Sequence, residues 1–278
     1  MKDLKFKLPS KSQKRLKFML FGLPGVGKTT AAIQFPRPAL IDTERGAEND
    51  QYVDILRNAG GGVISTTSFD EVVQQVRALA SMPHEYKTVI IDPITVLYDG
   101  LADMWEKRVG NSFSAHRAAA KRDFNRLNAL LSTLDMNVVF TSHAKNEWLN
   151  GEMTGRMVYD GPKGVDYFLD LLIEVRRDGE KRTATIFKSR IESLKVDEEF
   201  EFSYDAIADR YGREILERGV QPIEFATSEQ VEELDSLLTR HTDGKALVGK
   251  LLKRAKCEEF ADFTSEQIGK AIEWLRNQ

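Results

Sequence analysis

Hydrophobic positions in this chain fall into short unbroken runs that alternate with stretches of helical period. Val89-Ile90-Ile91 and Val138-Val139-Phe140 are apolar at every position, the pattern of strands covered on both faces. On this basis strands are expected at 16–21, 39–42, 63–66, 88–92, 137–142, 172–176 and 182–188. Between them, 69–80 carries Val72, Val73, Val76 and Leu79 at helical spacing behind Ser68, a side chain suited to cap a helix. The segment 115–134 repeats the pattern with Phe124, Leu127, Leu131 and Leu134. Strands alternating with helices predict an α/β fold with a doubly wound, mostly parallel sheet.

After about Phe225 the periodicity becomes purely helical. Thr227-Ser228-Glu229-Gln230 and Thr264-Ser265-Glu266-Gln267 each have the form of a capping box. In the second, Phe263 and Ile268 are placed to form a hydrophobic staple. Val231, Leu234 and Leu238, then Leu247, Leu251 and Leu252, then Ile268, Ala271, Ile272 and Leu275 give three amphipathic stripes. The chain therefore divides into a basic arm at 1–15, an α/β core at 16–225 and a helical bundle at 226–278. So small a bundle is marginal alone and is expected to dock on the core or on a partner. The arm sets Lys2, Lys5, Lys7, Lys11, Lys14 and Arg15 against one acid, Asp3. It reads equally as a nucleic-acid contact, a segment docking on a neighbouring subunit, or a disordered tail.

Composition narrows the setting. Of 278 residues, 41% are hydrophobic and 30% charged, with a formal net charge of -3, so any surface for a polyanion has to be local. The single cysteine, Cys257, excludes an internal disulfide framework and fits a reducing cytosol. With no triad-like His beside it in sequence, it reads as a packed residue. No apolar stretch approaches the ~20 residues of a membrane span, and the first residues lack the apolar core of a signal peptide. A soluble, cytoplasmic protein with no membrane partner is expected.

The strongest chemical signal comes directly after the first strand. Gly22-Leu23-Pro24-Gly25-Val26-Gly27-Lys28-Thr29 fits G-x-x-x-x-G-K-[ST] between an apolar run and the helix start Thr29-Thr30-Ala31-Ala32-Ile33. Glycines let backbone N–H groups curl around a β-phosphate without Cβ clashes, and a helix start adds its positive end. Gly22, Pro24, Gly25, Val26, Gly27, Lys28, Thr29 and Thr30 are thus the candidate nucleotide-binding residues. Lys28 is placed to reach the β/γ-phosphates and the Thr29 hydroxyl to ligate Mg²⁺, which makes ATP and Mg²⁺ the expected cofactors. The strand Thr88-Val89-Ile90-Ile91-Asp92 ends in an acid suited to hold that Mg²⁺ through water.

Three further groups stand at strand ends. Glu44, after Leu40-Ile41-Asp42-Thr43, can orient and deprotonate the water that attacks the γ-phosphate. Asp42 can take the same part, and either reads also as a solvated loop charge. In Thr141-Ser142-His143-Ala144-Lys145, His143 is a candidate to sense the γ-phosphate or is a structural histidine. Lys188-Ser189-Arg190 places two cations on one side of an extended chain, suited to reach a neighbouring subunit's γ-phosphate or to lie exposed at a strand end.

Taken in order, these residues resemble the RecA-like recombination ATPases, and in particular the compact phage members of that group. The resemblance covers roughly 16–200. It implies that Glu44 is the catalytic glutamate, that His143 couples ATP to a DNA-contacting loop, and that Lys188 and Arg190 act in trans. His143 stands where larger recombinases usually place Gln, and Pro93 comes after the acid where Ser is common. The stretch 145–164 would be the mobile DNA loop, with four glycines, Lys145, Arg156, Lys163, Trp148 and Tyr159, diluted by Glu147, Glu152 and Asp160. A hairpin turning at Asn150-Gly151 is the plain alternative. Arg117, Lys121, Arg122 and Arg126 form a basic helix face, which a solvated surface explains equally well.

The resemblance implies an ATPase, DNA-stimulated, that binds single-stranded DNA and assists homologous recombination or annealing. It would assemble as a ring or filament in the cytoplasm (the host's, if phage-encoded), with a single-strand-binding or annealing protein as a further partner of the bundle. The alternatives are an ATPase that loads or remodels a protein, as helicase loaders do, a small-molecule kinase, and a binding module with a vestigial ATPase.

Overall fold

The computed structural model describes residues 14–44, 46, 50–110, 112–255 and 257–277. The lysines of the arm before Lys14 lie outside them. Arg15, at the arm's end, is buried: its guanidinium pairs with Asp135 at 3.1 Å and donates to the carbonyls of Ile215, Leu216, Arg218 and Gly219.

The first half alternates strand with helix: β1 (Lys17–Gly22), α1 (Lys28–Ala32), β2 (Pro38–Asp42), α2 (Asp50–Asn58), β3 (Gly62–Ser65), α3 (Phe69–Ser81), β4 (Thr88–Asp92), α4 (Ile94–Val109) and α5 (Ala115–Thr133), with α2 and α4 two helices beyond those expected. Then come β5 (Asn137–Leu149), β6 (Glu152–Asp160), β7 (Leu171–Asp178), β8 (Lys181–Ser189), β9 (Glu199–Glu201), α6 (Tyr204–Tyr211) and α7 (Arg213–Glu217). The sheet runs β3-β2-β4-β5-β1-β7-β8-β9, with β6 paired to β5 alone. The six strands from β3 to β7 are parallel, and β6, β8 and β9 join antiparallel. The fold is the doubly wound α/β class that the alternation predicts.

Successive residues of each central strand face opposite layers. Met19, Phe21, Val89, Ile91, Val138 and Phe140 pack with Val72, Leu97, Phe124 and Leu131 of α3, α4 and α5. Phe18, Leu20, Ile90 and Val139 pack with Ile33, Phe35, Ile207 and Leu216 on the other face. Two covered faces explain why these strands show no polar alternation. β5 lies between β1 and β4, in register Gly22↔His143 and Ile91↔Phe140, while Asp42 pairs with Asp92. Parallel strands thus bring the ends of β1, β2, β4 and β5 to one edge of the sheet.

The last helices, α8 (Ser228–Arg240), α9 (Gly244–Ala255) and α10 (Ser265–Arg276), enclose their own apolar cluster around Leu234, Leu238, Phe263, Ile268 and Ile272. Thr227/Gln230 and Thr264/Gln267 both form reciprocal capping boxes. Cys257 is buried there; its thiol donates to Asp262 O at 3.3 Å and is pushed up to about 11 by burial, the state of a packed, unreactive cysteine. The cluster is tied to the α/β core through buried Asp262, whose carboxylate accepts from Arg77 of α3 and from Arg126 of α5 at 2.9 Å. Arg126 also pairs with Glu259 at 2.8 Å, so it does not share the solvated face expected for it with Arg117, Lys121 and Arg122. Among the described residues no helix is long and apolar enough to cross a membrane.

Candidate nucleotide-binding site

The loop between β1 and α1 is shaped by its glycines. Gly22 ends β1 where β7 packs alongside, and a Cβ there would meet the Val175 carbonyl oxygen at 2.3 Å. Gly27 has φ +91°, a left-handed conformation costly for any other residue at the entry to α1. Lys28 Nζ folds back over the loop, donating to the carbonyl oxygens of Gly22 at 3.0 Å and Leu23 at 2.9 Å. Burial lowers the Lys28 ammonium, opposed by the carboxylates of Asp92 and Glu44.

Across the edge stands Asp92, 8% exposed. Burial raises its carboxyl, partly opposed by the hydroxyls of Thr141 and Thr29, and Asp42 raises it further. Thr141, two residues before His143 on the adjacent strand, donates directly to Asp92 Oδ1. A hydroxyl and a buried carboxylate beside a second acid are the hard oxygen donors that Mg²⁺ takes, so Thr29 and Asp92 fit the metal. Bound there with a nucleotide, Mg²⁺ would supply neutralisation of phosphate charge. Among the described residues no cluster of three or more His, Cys, Asp or Glu side chains makes a self-contained metal site; phosphates and water would complete the ligand set.

Glu44 comes after β2 and is positioned by its neighbours: its N–H donates to Asp42 Oδ1 at 3.0 Å, and the Thr43 N–H donates to the Asp92 carbonyl at 2.8 Å. The Glu44 carboxylate meets His143, with Oε1 2.8 Å from Nε2. The His143 N–H donates to Thr95 Oγ1 at 3.0 Å, and that hydroxyl donates to the Asp160 carbonyl at 2.6 Å. His143 pairs with Asp160 in the β5–β6 ladder and is therefore the root of that hairpin. Of the two readings of 145–164, a mobile loop or a hairpin turning at Asn150-Gly151, the structure has the hairpin: most of the stretch is a two-stranded ribbon with its turn at those residues. The type of turn, with both residues at positive φ, is the one that Asn-Gly favours. Trp148, Leu149 and Met153 are exposed near its tip, and Lys145 is engaged by Asp160 at 2.8 Å.

Pro24, Gly25, Gly27, Lys28, Thr29, Thr30, Asp42, Glu44, Asp92 and His143 all line one cavity of about 500 Å³, together with Tyr52, Arg177 and Arg182. A larger cavity of about 760 Å³ lies beside it, lined by Leu23, Val26, Glu174 and Phe187, and holds none of the acids just described. Lys188 and Arg190 are not brought into the nucleotide cavity. Lys188 pairs in register with Leu172, and Leu172 with Met19, toward the starting end of β1. Lys188 Nζ donates to the Asp166 and Leu169 carbonyls, and Arg190 to the Tyr167 carbonyl at 2.8 Å. The sequence pattern assigns no role to Thr141, Tyr52, Arg177 or Arg182. Thr141 has a visible signal, a polar residue ending an apolar strand; the two arginines have none, since a hairpin's charges look solvated.

A glycine loop holding a lysine, a buried strand-end acid and a parallel sheet define a P-loop nucleotide-binding core. Residues 14–198 match the family model AAA_24, an AAA domain, and the chain belongs to that family. Among solved structures it is similar to the RadB recombinase, at 18% identity over 75% of this chain and 91% of that chain, with a TM-score of 0.46. No curated protein matches.

Proposed function

We propose that the protein is a RecA-like ATPase that binds single-stranded DNA and uses ATP hydrolysis in homologous recombination or annealing. The observation that carries this reading is the Glu44–His143 pair at 2.8 Å, which joins the nucleotide cavity to the root of an exposed hairpin. In the reaction, Glu44 orients a water and takes its proton as the oxygen bonds the γ-phosphorus. The β–γ bridging P–O bond breaks, its electron pair leaves with ADP, and Lys28 offsets charge on the phosphates. A γ-phosphate competes with Glu44 for His143, and release of that pair shifts the hairpin between two states. On the hairpin, Trp148 offers a stacking face for bases and Arg156 a cation for the backbone. In a ring or filament, Lys188 and Arg190 act on a neighbour's nucleotide; the Arg190 side chain, 49% exposed, has room to be redirected.

A second reading rests on the same tip. Trp148, Leu149 and Met153 together also suit a protein surface, as in an ATPase that loads or remodels a partner. Fluorescence anisotropy of a labelled single-stranded oligonucleotide separates the two. The proposal expects tight binding with a non-hydrolysable ATP analogue, weaker binding with ADP, and loss of the difference in Lys28→Ala. Binding absent in every nucleotide state sends the function to a protein partner.

A further inference from the structure

β8 carries cations at both ends, and the two ends differ in what their cations touch. Lys188 and Arg190 at the far end donate to backbone carbonyls of the 166–169 segment. At the near end Arg182 pairs in register with Arg177, the penultimate residue of β7, and β7 runs beside β1. The hairpin between β7 and β8 therefore reaches over the phosphate loop.

There the Arg182 guanidinium lies against the loop itself. A Cβ built on Gly27 would sit 2.2 Å from Arg182 Nε and 3.0 Å from Cζ, so the glycine leaves the space this side chain fills. Arg182 Nε is buried with no hydrogen-bond partner, and among the described residues no carboxylate or carbonyl engages its guanidinium. Other arginines in buried or partly buried settings are satisfied: Arg126 by Asp262 and Glu259, Arg210 by Glu198, Arg15 by Asp135 and four carbonyls. Arg177, its cross-strand neighbour, donates Nε to Gly179 O at 2.8 Å. A guanidinium cannot lose its charge, and a buried donor without an acceptor is costly. Arg182 lines the same cavity as Lys28, Thr29 and Glu44, and the acceptor that fits a planar cationic fork beside a phosphate loop is a phosphate oxygen.

We propose that Arg182 is a nucleotide-binding residue acting in cis: its guanidinium donates to phosphate oxygens of the nucleotide held by residues 22–29 of its own subunit. The β7–β8 hairpin is thereby tied to nucleotide occupancy from the side opposite His143. This inference rests on the nucleotide-binding reading and is separate from the trans role given to Lys188 and Arg190.

The test is equilibrium binding of a fluorescent ADP and a fluorescent non-hydrolysable ATP analogue, with Mg²⁺. It uses the wild-type chain, Arg182→Ala, Arg182→Gln, Arg182→Lys and Lys28→Ala, at protein concentrations below and above self-association, beside thermal unfolding without nucleotide. Arg182→Ala and Arg182→Gln are expected to raise Kd about tenfold or more, with unfolding temperatures not lower than wild type. Arg182→Lys recovers only part of the loss, because an ammonium cannot present the fork. The deficit is the same below and above association. Wild-type affinity in Arg182→Gln while Lys28→Ala loses binding overturns the inference and leaves the nucleotide site standing. A deficit confined to the associated form overturns the cis assignment. Absence of binding in the wild-type chain overturns both.

Discussion

His143 Nε2 and Glu44 Oε1 meet at 2.8 Å across β4, joining the ends of two strands that are not neighbours in the sheet. The contact exists because β5 carries its polar end to the level of Gly22 and because Glu44 is held by Asp42, with the preceding Thr43 held by the β4 end. It places the candidate general base and the hairpin root in one hydrogen-bonded unit.

Glu44→Gln keeps the shape and the acceptor for His143 but cannot take a proton. Turnover is expected to fall by about 10²-fold or more, with the Kd for the ATP analogue unchanged. A variant that hydrolyses ATP at the wild-type rate would remove Glu44 from the chemistry and leave Asp42 as the base.

Asp92→Asn exchanges a buried carboxyl for a neutral group that still accepts from Thr141. Burial raises this carboxyl in the folded chain, so the folded state holds the proton more tightly than the unfolded chain. Its stabilising contribution is fully present below the ordinary carboxylate range and is lost as pH rises through the folded value. The variant, without nucleotide, is therefore expected to unfold at a higher temperature than wild type at neutral pH, with the gap closing below the ordinary carboxylate range. An equal or lower unfolding temperature for Asp92→Asn at neutral pH would contradict it. With Mg²⁺ and nucleotide the order reverses, because the wild type gains a ligand that the variant holds poorly.

How much of the fold and site is legible in the sequence depends on range. Lys28, Asp92, Glu44 and His143 each stand at or just past the end of an apolar run, and a parallel sheet sends all such ends to one edge; local pattern suffices to bring them together. Arg126 cannot be read the same way: its i,i+4 spacing suggests a wet helix face, but its partner Asp262 lies 136 residues away. Arg182 depends on a hairpin curling over the loop, which no local period encodes. α4 does carry the helical period, with Ile94, Leu97, Tyr98 and Leu101 at i, i+3, i+4 and i+7, but it begins two residues past the end of β4, so its apolar positions run on from those of the strand. β6 escapes the strand pattern because it forms a ribbon outside the sheet's path, with no core face to impose alternation on Thr154, Gly155 and Arg156.

Removing Asp262 strands Arg77 and Arg126 opposite the helical cluster. Asp262→Ala is expected to cost about 2–3 kcal/mol, below the ~3–5 kcal/mol of a fully buried pair because both arginines are partly exposed. Urea unfolding monitored at Trp274 of α10 measures it. A loss under about 0.5 kcal/mol, the scale of an ordinary surface substitution, would mean that the apolar contacts alone dock the cluster.

Trp148→Ala tests the hairpin. If Trp148 stacks on a base, single-stranded DNA affinity falls by about 1–3 kcal/mol while hydrolysis without DNA is unchanged. Unaltered DNA binding would place the contact elsewhere, with Arg117, Lys121 and Arg122 of α5 next in line.

The coupling itself is tested most directly by steady-state ATP hydrolysis with and without single-stranded DNA, in wild type and His143→Ala. Wild type is expected to be stimulated by DNA, and His143→Ala to retain a basal rate that DNA no longer raises. Stimulation of the same size in both chains would contradict this coupling, because the path from nucleotide to hairpin would then not pass through His143.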